Sequence, residues 1–198
     1  MEKLSVSIMA HPSREKHFDY LKRELGSVPF AIDDGRGLWE NCKHAWQLHN
    51  PEAQYHIVIQ DDAIICKDFR KRADEILKDD RYAYNFYYGH RVRQSFIARN
   101  AEGLKNGFLI DAVPHWGLAI CLPVKLIDGM IRFADKLKVK QDDERIAQFL
   151  KSNGTKIYFP IPSLIEHRWW EHSLVGNVGN SRRALKFIDG DVEFMKEQ

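Results

Sequence analysis

The segment His56-Ile57-Val58-Ile59 constrains the fold more than any other stretch, because three successive β-branched apolar residues run straight into Gln60-Asp61-Asp62. A strand whose neighbouring side chains are all apolar buries both of its faces, as happens in a largely parallel sheet covered by helices on each side. In such sheets, ligands bind in the crevice outside the carboxyl ends of the strands. Two carboxylates at that point put charge where a site forms, before Ala63-Ile64-Ile65 returns the chain to apolar character.

The flanking segments fit the same architecture. Residues 4–10, Leu-Ser-Val-Ser-Ile-Met-Ala, read as a strand closed by His11-Pro12-Ser13. Ser13 is placed to cap a helix over 14–25 with Phe18, Leu21 and Leu25 on one face, and Gly26 to end it. A short strand over 28–32 ends at Asp33-Asp34-Gly35, and Gly35-Arg36-Gly37 turns into a helix over 38–49 stopped by Asn50-Pro51. A charged amphipathic helix is expected over 69–77. Strands alternating with helices predict an α/β fold: a three-layer, Rossmann-like domain with a mostly parallel central sheet.

The second half is less regular. Residues 82–99 interleave aromatics with Arg91, Arg93 and Arg99, and 103–107 reads as a turn. A strand is expected over 116–122, helices over 124–137 and 141–152, and a strand over 155–159 broken by Pro160-Ile161-Pro162. The tail over 165–180 reads as an ordered loop over the site. With no repeat, low-complexity stretch or linker, residues 1–198 are expected to form a single domain.

Composition narrows the classes. A hydrophobic fraction of 44% is enough for a packed core. Thirty Lys and Arg against 28 Asp and Glu leave a net charge of +2, too small to indicate a dedicated nucleic-acid scaffold, although a local basic patch suffices for transient contact. Cys42, Cys66 and Cys121 are widely spaced and form no CxxC pair, so neither a zinc knuckle nor a disulfide framework is indicated. Without an apolar run of about 20 residues, no membrane span is expected, and the chain reads as soluble and cytoplasmic.

Carboxylates at a strand end suit Mg²⁺ or Mn²⁺, which prefer oxygen ligands and keep water in the remaining positions. Adjacent residues on extended backbone point in opposite directions, so Asp61 and Asp62 are expected to serve different partners. An isolated Asp-Asp pair is often just an acidic turn; the buried strand before this one argues for a site.

The order strand, His-Pro-Ser-Arg, strand, Asp-Asp-Gly, helix, Ile-Val-Ile-Gln-Asp-Asp-Ala resembles the nucleotide-binding half of GT-A glycosyltransferases. Their acidic motif is usually written DxD; this chain departs from it with Gln60 where an acid often stands. The resemblance implies a UDP-sugar donor and Mn²⁺ or Mg²⁺, with Asp62 holding the metal and Asp61 reaching the ribose or the transferred sugar. It further implies that Ala10, His11, Pro12 and Arg14 lie beside the nucleoside and that Asp33 or Asp34 contacts base or ribose. Residues 1–80 become the donor-binding half, and 81–198 the acceptor-binding half with a C-terminal loop over the donor.

Gln141-Asp142-Asp143-Glu144-Arg145 opens a helix. Acids there complement the helix dipole, which alone explains them equally well. In similar enzymes this position carries the carboxylate that takes the acceptor proton, implying Asp143 first and Asp142 second. The stretch from Pro162-Ser163-Leu164-Ile165-Glu166-His167 to Ser173-Leu174-Val175-Gly176 resembles the C-terminal segment of such families. By that likeness His167 completes the metal shell, with His172 in reserve, and Ser173 and backbone near Gly176 bind phosphate. Trp116 and Trp169-Trp170 fit either a sugar-stacking or a core role, and Arg182-Arg183 would add to a basic rim.

Compact transferases of this kind resemble phage enzymes that glycosylate hydroxymethylated pyrimidines, which would make DNA the acceptor; the alternating aromatics and arginines suit stacked bases, though a half-buried strand looks the same. The acidic motif also resembles that of lipopolysaccharide-type transferases, which would make the acceptor a glycan. From another class, the same acids with His11, His167 and His172 would suit a metal-dependent hydrolase or nuclease, although no HxH, HExxH or HD pair is present. A nucleotide-fold binding protein without catalysis is a third reading.

Overall fold

The computed structural model describes residues 3–89, 101–114, 116–174 and 182–190. Its centre is a seven-stranded sheet built from β1 (Leu4–Ala10), β2 (Phe30–Ile32), β3 (Tyr55–Gln60), β5 (Tyr82–Asn85), β6 (Phe108–Asp111), β7 (Ala119–Pro123) and β8 (Lys156–Pro160). The order across the sheet is β2-β1-β3-β7-β5-β8-β6. β1 pairs in parallel with β2 and β3, and β5 with β8, while β7 and β6 run against their neighbours, so five of the seven strands share one direction. A separate ribbon pairs β4 (Ala63–Ile65) with β9 (Ile165–His167).

Alternation along the strands sorts side chains into two layers. From β3, Ile57 and Ile59 join one core cluster and Val58 the other; from β7, Ala119 and Cys121 part from Ile120 and Leu122 in the same way. The first cluster is covered by α1 (Phe18–Leu25) through Leu21 and Leu25, and by α3 (Phe69–Ile76) through Phe69 and Ala73. The second is covered by α2 (Leu38–Gln47), α5 (Ile127–Ala134) and α6 (Asp142–Ser152), through residues such as Trp46, Met130 and Phe149. Helix, sheet and helix make the three layers that the apolar β3 segment requires. Among the described residues no helix is long and apolar enough to cross a membrane.

Several elements differ from expectation for identifiable reasons. The helix expected over 14–25 begins as a 3-10 turn, Pro12–His17, with Arg14 off helical geometry (φ −114°, ψ 18°), and becomes α-helical only at Phe18. His11, not Ser13, caps the turn: its ring accepts the Ser13 N–H at 3.2 Å. The turn expected over 103–107 is partly helical, α4 (Ala101–Lys105), and Asn106 and Gly107, the latter with φ +82°, make the turn proper. The strand expected from 116 starts at Ala119, because the Asn85 amide donates to the Pro114 and Trp116 carbonyls at 2.9 and 2.8 Å and holds that stretch out of the sheet. The tail opens as strand β9 rather than a loop. Gly176 and most of the arginine-bearing part of the middle segment lie outside the described residues.

Register decides what meets at the sheet's edge. Met9 lies beside Gln60 across β1 and β3, so the chain leaving β1 at His11 adjoins Asp61. Ala119 lies opposite Ile59, which brings Trp116, Gly117 and Leu118 to the same edge. In the ribbon, Ala63 faces His167, so His167 stands next to Asp62.

Candidate active site

These elements surround a cavity of about 450 Å³ at the carboxyl ends of β1 and β3. The first half of the chain lines it with Ala10, His11, Arg14, Asp33, Asp61 and Asp62, and the second with Asp142, Asp143, His167 and Ser173. Pro12 and Asp34 are not among the residues lining it. Pro12 opens the 3-10 turn, and exposed Asp34 is paired with Arg36 at 2.7 Å. Of the two aspartates after β2 it is Asp33 that faces the cavity, with Oδ1 accepting the Gly35 N–H at 2.9 Å to turn the chain. His172 offers its backbone carbonyl to Arg14 at 3.0 Å, and its ring is not part of the lining.

The adjacent aspartates are used differently. Asp61, 3% exposed, accepts the His11 backbone N–H at 2.6 Å and the Arg14 guanidinium at 2.8 Å, one on each oxygen. Burial pushes its pKa up against both of these partners. Asp62, 2% exposed, places Oδ2 within 2.7 Å of Arg14 Nη1 and 2.8 Å of Arg182 Nη2, while its buried Oδ1 has no hydrogen-bond partner among the described residues. Burial would raise its pKa, but the His167 ring and the Arg14 and Arg182 guanidiniums together outweigh burial and hold it below the usual carboxylate value. The His167 ring itself is pushed down to about 4 by burial, against the pull of Asp62 and with the help of the two guanidiniums, whose own charge is permanent. Arg14 and Arg182 therefore keep Asp62 ionised.

Arg182 is the residue that sequence reasoning placed wrongly, as part of a basic rim. It is 6% exposed and sits at the centre of the site. Its Nη2 lies 2.8 Å from His167 Nδ1 and 2.9 Å from Nε2, and its Nη1 donates to the Glu171 carbonyl at 2.8 Å. The Tyr87 hydroxyl donates to the Arg182 carbonyl at 2.6 Å, and Glu166 Oε1 accepts the backbone N–H groups of His167 and Ala184 at 2.7 and 2.8 Å. No periodicity marks such a contact: Arg182 lies 120 residues from Asp62.

Across the cavity stands the start of α6. Asp142, 7% exposed, packs against the Cys42 thiol, and burial together with the charge of Asp143 pushes its pKa up to about 6. Burial also raises Asp143, whose Oδ1 accepts the Glu144 N–H at 2.8 Å. Gly117 makes room between these acids and β3. A Cβ there would lie 3.1 Å from Gln60 Nε2 and 3.6 Å from Asp142 Oδ2. Gln60, standing where the motif often has an acid, thus turns a neutral amide toward α6, which avoids adding charge beside two aspartates.

Trp116 lines the cavity, edge-on to Tyr87 and Tyr88 at 5.8 and 5.5 Å between ring centres, whereas Trp169 and Trp170 pack against each other at 5.5 Å outside the lining. Tyr84, Phe86, Tyr87 and Tyr88 are all core residues, so this part of the aromatic segment is packing and not an open stacking surface. His90, Arg91, Arg93, Phe96 and Arg99 lie outside the described residues.

Among the described residues no group of three His, Cys, Asp or Glu side chains converges to hold a cation. Asp62 and His167 come nearest to doing so: His167 Nε2 is 3.5 Å from Asp62 Oδ2, and among the described residues Asp62 Oδ1 has no hydrogen-bond partner. An oxygen and an imidazole nitrogen fit a Mn²⁺ or Mg²⁺ site completed by phosphate oxygens and water, the usual situation where a cation bridges protein and nucleotide.

No protein-family model matches this sequence, and no curated protein sequence matches it. Solved structures do match. One is a Drosophila β1,4-galactosyltransferase 7 mutant in complex with manganese, UDP-Gal and xylobiose, at 8% identity and TM-score 0.51, covering all of this chain and 80% of that one. Another is the catalytic domain of the Drosophila enzyme with xylobiose, at 9% identity and TM-score 0.50, covering all of this chain and 79% of that one. At such identities the likeness concerns the fold, and in fold this chain is a GT-A-type α/β protein with a mostly parallel central sheet.

Proposed function

We propose that the protein is a glycosyltransferase that moves a sugar from a UDP-sugar to a hydroxyl acceptor with the help of Mn²⁺ or Mg²⁺. The observation that carries this reading is that Asp61-Asp62, His167 and the acidic start of α6 line a single cavity at the carboxyl edge of a GT-A sheet. The Drosophila structure, which holds manganese, UDP-Gal and xylobiose, supports the same ligand chemistry for this fold. One sheet running through both halves supports reading 1–198 as one catalytic domain, with 1–80 as the donor half.

In this reading Asp62 and His167 hold the cation, which offsets the negative charge that builds on the departing diphosphate. Ala10, His11 and Asp33 line the nucleoside end, and Asp61 fixes the turn after β1 through His11 and Arg14. Ser173 binds phosphate oxygen at the cavity wall. Asp143 takes the proton of the acceptor hydroxyl: one of its oxygens is committed to the Glu144 N–H, and burial raises its basicity. Asp142 behind it keeps that corner negative.

A glycan hydroxyl is the acceptor we favour. A DNA acceptor would rest on the aromatics between residues 82 and 99, and of the described ones Tyr84, Phe86, Tyr87 and Tyr88 are packed in the core while Tyr82 is half-buried. The lipopolysaccharide-type resemblance and the cavity-facing Trp116 both suit a sugar. A hydrolase or nuclease would need its histidines around the metal, yet His11 is bound to Ser13 at 2.8 Å and the His172 ring is not in the lining.

A thermal-shift screen of nucleotide-sugars with and without Mn²⁺ tests the proposal. A UDP-sugar at about 100 times its dissociation constant stabilises the protein by roughly 2.7 kcal/mol, and the gain should require the cation. Absence of any shift across UDP-sugars, with Mn²⁺ present, sinks it.

A further inference from the structure

We infer that Arg182 occupies the cation's place between Asp62 and His167 when no donor is bound, and that it releases Asp62 only when a diphosphate is there to receive its guanidinium. This rests on the reading of Asp62 and His167 as the cation site. Arg182 Nη2 lies 2.8 Å from Asp62 Oδ2 and within 2.9 Å of both His167 ring nitrogens, so one positive group already bridges the two donors. Among the described residues Asp62 is paired on Oδ2 alone, and its buried Oδ1 has no hydrogen-bond partner. A carboxylate in that state is half-satisfied, which suits a partner that exchanges.

Charge balance gives the exchange its logic. Asp61 and Asp62 are matched by Arg14 and Arg182, so this buried cluster of four is neutral as a group. A divalent cation arriving alone would stand beside two buried guanidiniums. A diphosphate arriving alone would stand beside two buried carboxylates. Arriving together they preserve the balance, with the cation on Asp62 and the guanidinium fork on phosphate oxygens. Arg182 lines the cavity, and its backbone is anchored by the Tyr87 hydroxyl, so the exchange needs movement of the side chain only. Linkage then requires each ligand to tighten the other by the same factor.

The test is titration of Mn²⁺ into the full chain, followed by calorimetry or by the electron paramagnetic resonance of free Mn²⁺, with and without UDP. Wild type should bind Mn²⁺ at least about tenfold more tightly with UDP present. Arg182→Met, which retains an unbranched apolar stem without the charge, should bind Mn²⁺ without UDP about tenfold more tightly than wild type and gain less from UDP. Arg182→Lys, which retains the charge, serves if the first variant does not fold, and should fall between the two. Unchanged or weaker Mn²⁺ binding without UDP in a folded Arg182 variant overturns the exchange and leaves the cation site standing. Mn²⁺ binding with UDP that survives both Asp62→Asn and His167→Gln overturns the cation site and the exchange together.

Discussion

Asp142 illustrates how one buried carboxyl links stability to function. Its folded pKa, about 6, lies above the ordinary carboxylate value because burial and Asp143 disfavour its charge. The folded state therefore holds this proton more tightly than the unfolded state. Asp142 costs no stability below about pH 4; the cost grows as pH rises toward 6 and is full above it, up to about 3 kcal/mol for a shift of roughly two units. Asp142→Asn should accordingly raise the urea midpoint at pH 8, with the gain fading toward pH 4, while turnover falls. A variant equally stable to wild type at pH 8 would show that the carboxyl is solvated in solution. In the sequence, the acids at 142 and 143 looked as much like dipole capping as like a catalytic corner. What the sequence does not show is burial, which puts Asp142 against Cys42, a residue 100 positions away.

At the scale of elements, the β4–β9 ribbon does most to assemble the site. The apolar residues 63–65 were legible as apolar, but their partner was not: 165–167 read as loop because three residues carry too little pattern to declare a strand. Pairing Ala63 with His167 sets the histidine beside Asp62, and Glu166 on the other face ties the returning chain at Ala184. Glu166→Ala removes the acceptor of two backbone N–H groups and should cost about 2–6 kcal/mol in urea unfolding, since unsatisfied buried donors cost about 1–3 kcal/mol each. Glu166→Gln retains an acceptor oxygen and should lose much less. Equal losses in the two variants would mean that these N–H bonds contribute little. The 3-10 turn after β1 makes the same point, because Arg14 leaves helical geometry where its side chain meets Asp61 and Asp62.

For the whole molecule, the position of β7 matters most. It separates β3 from β5, so a strand from the second half covers the open side of the first half's sheet. Residues 1–80 alone would expose β3 as an apolar edge along Ile57 and Ile59, both fully buried in the intact chain. That fragment should lack a cooperative thermal transition by circular dichroism, whereas the full chain should melt cooperatively. A fragment that melted cooperatively would make the donor half a separate domain. The three-layer architecture was legible beforehand because the Ile57-Val58-Ile59 run of β3 is too apolar for a sheet with a wet face, and Gly and Pro mark the ends of the helices that cover it. The acidic corner was legible because a charged pair directly after such a strand has one place to go, the sheet's edge. Strand order, the reversed β7, and the meeting of Asp62 with His167 and Arg182 were decided by tertiary structure. Local periodicity reports which face of an element is buried; it carries no information about which distant segment buries it.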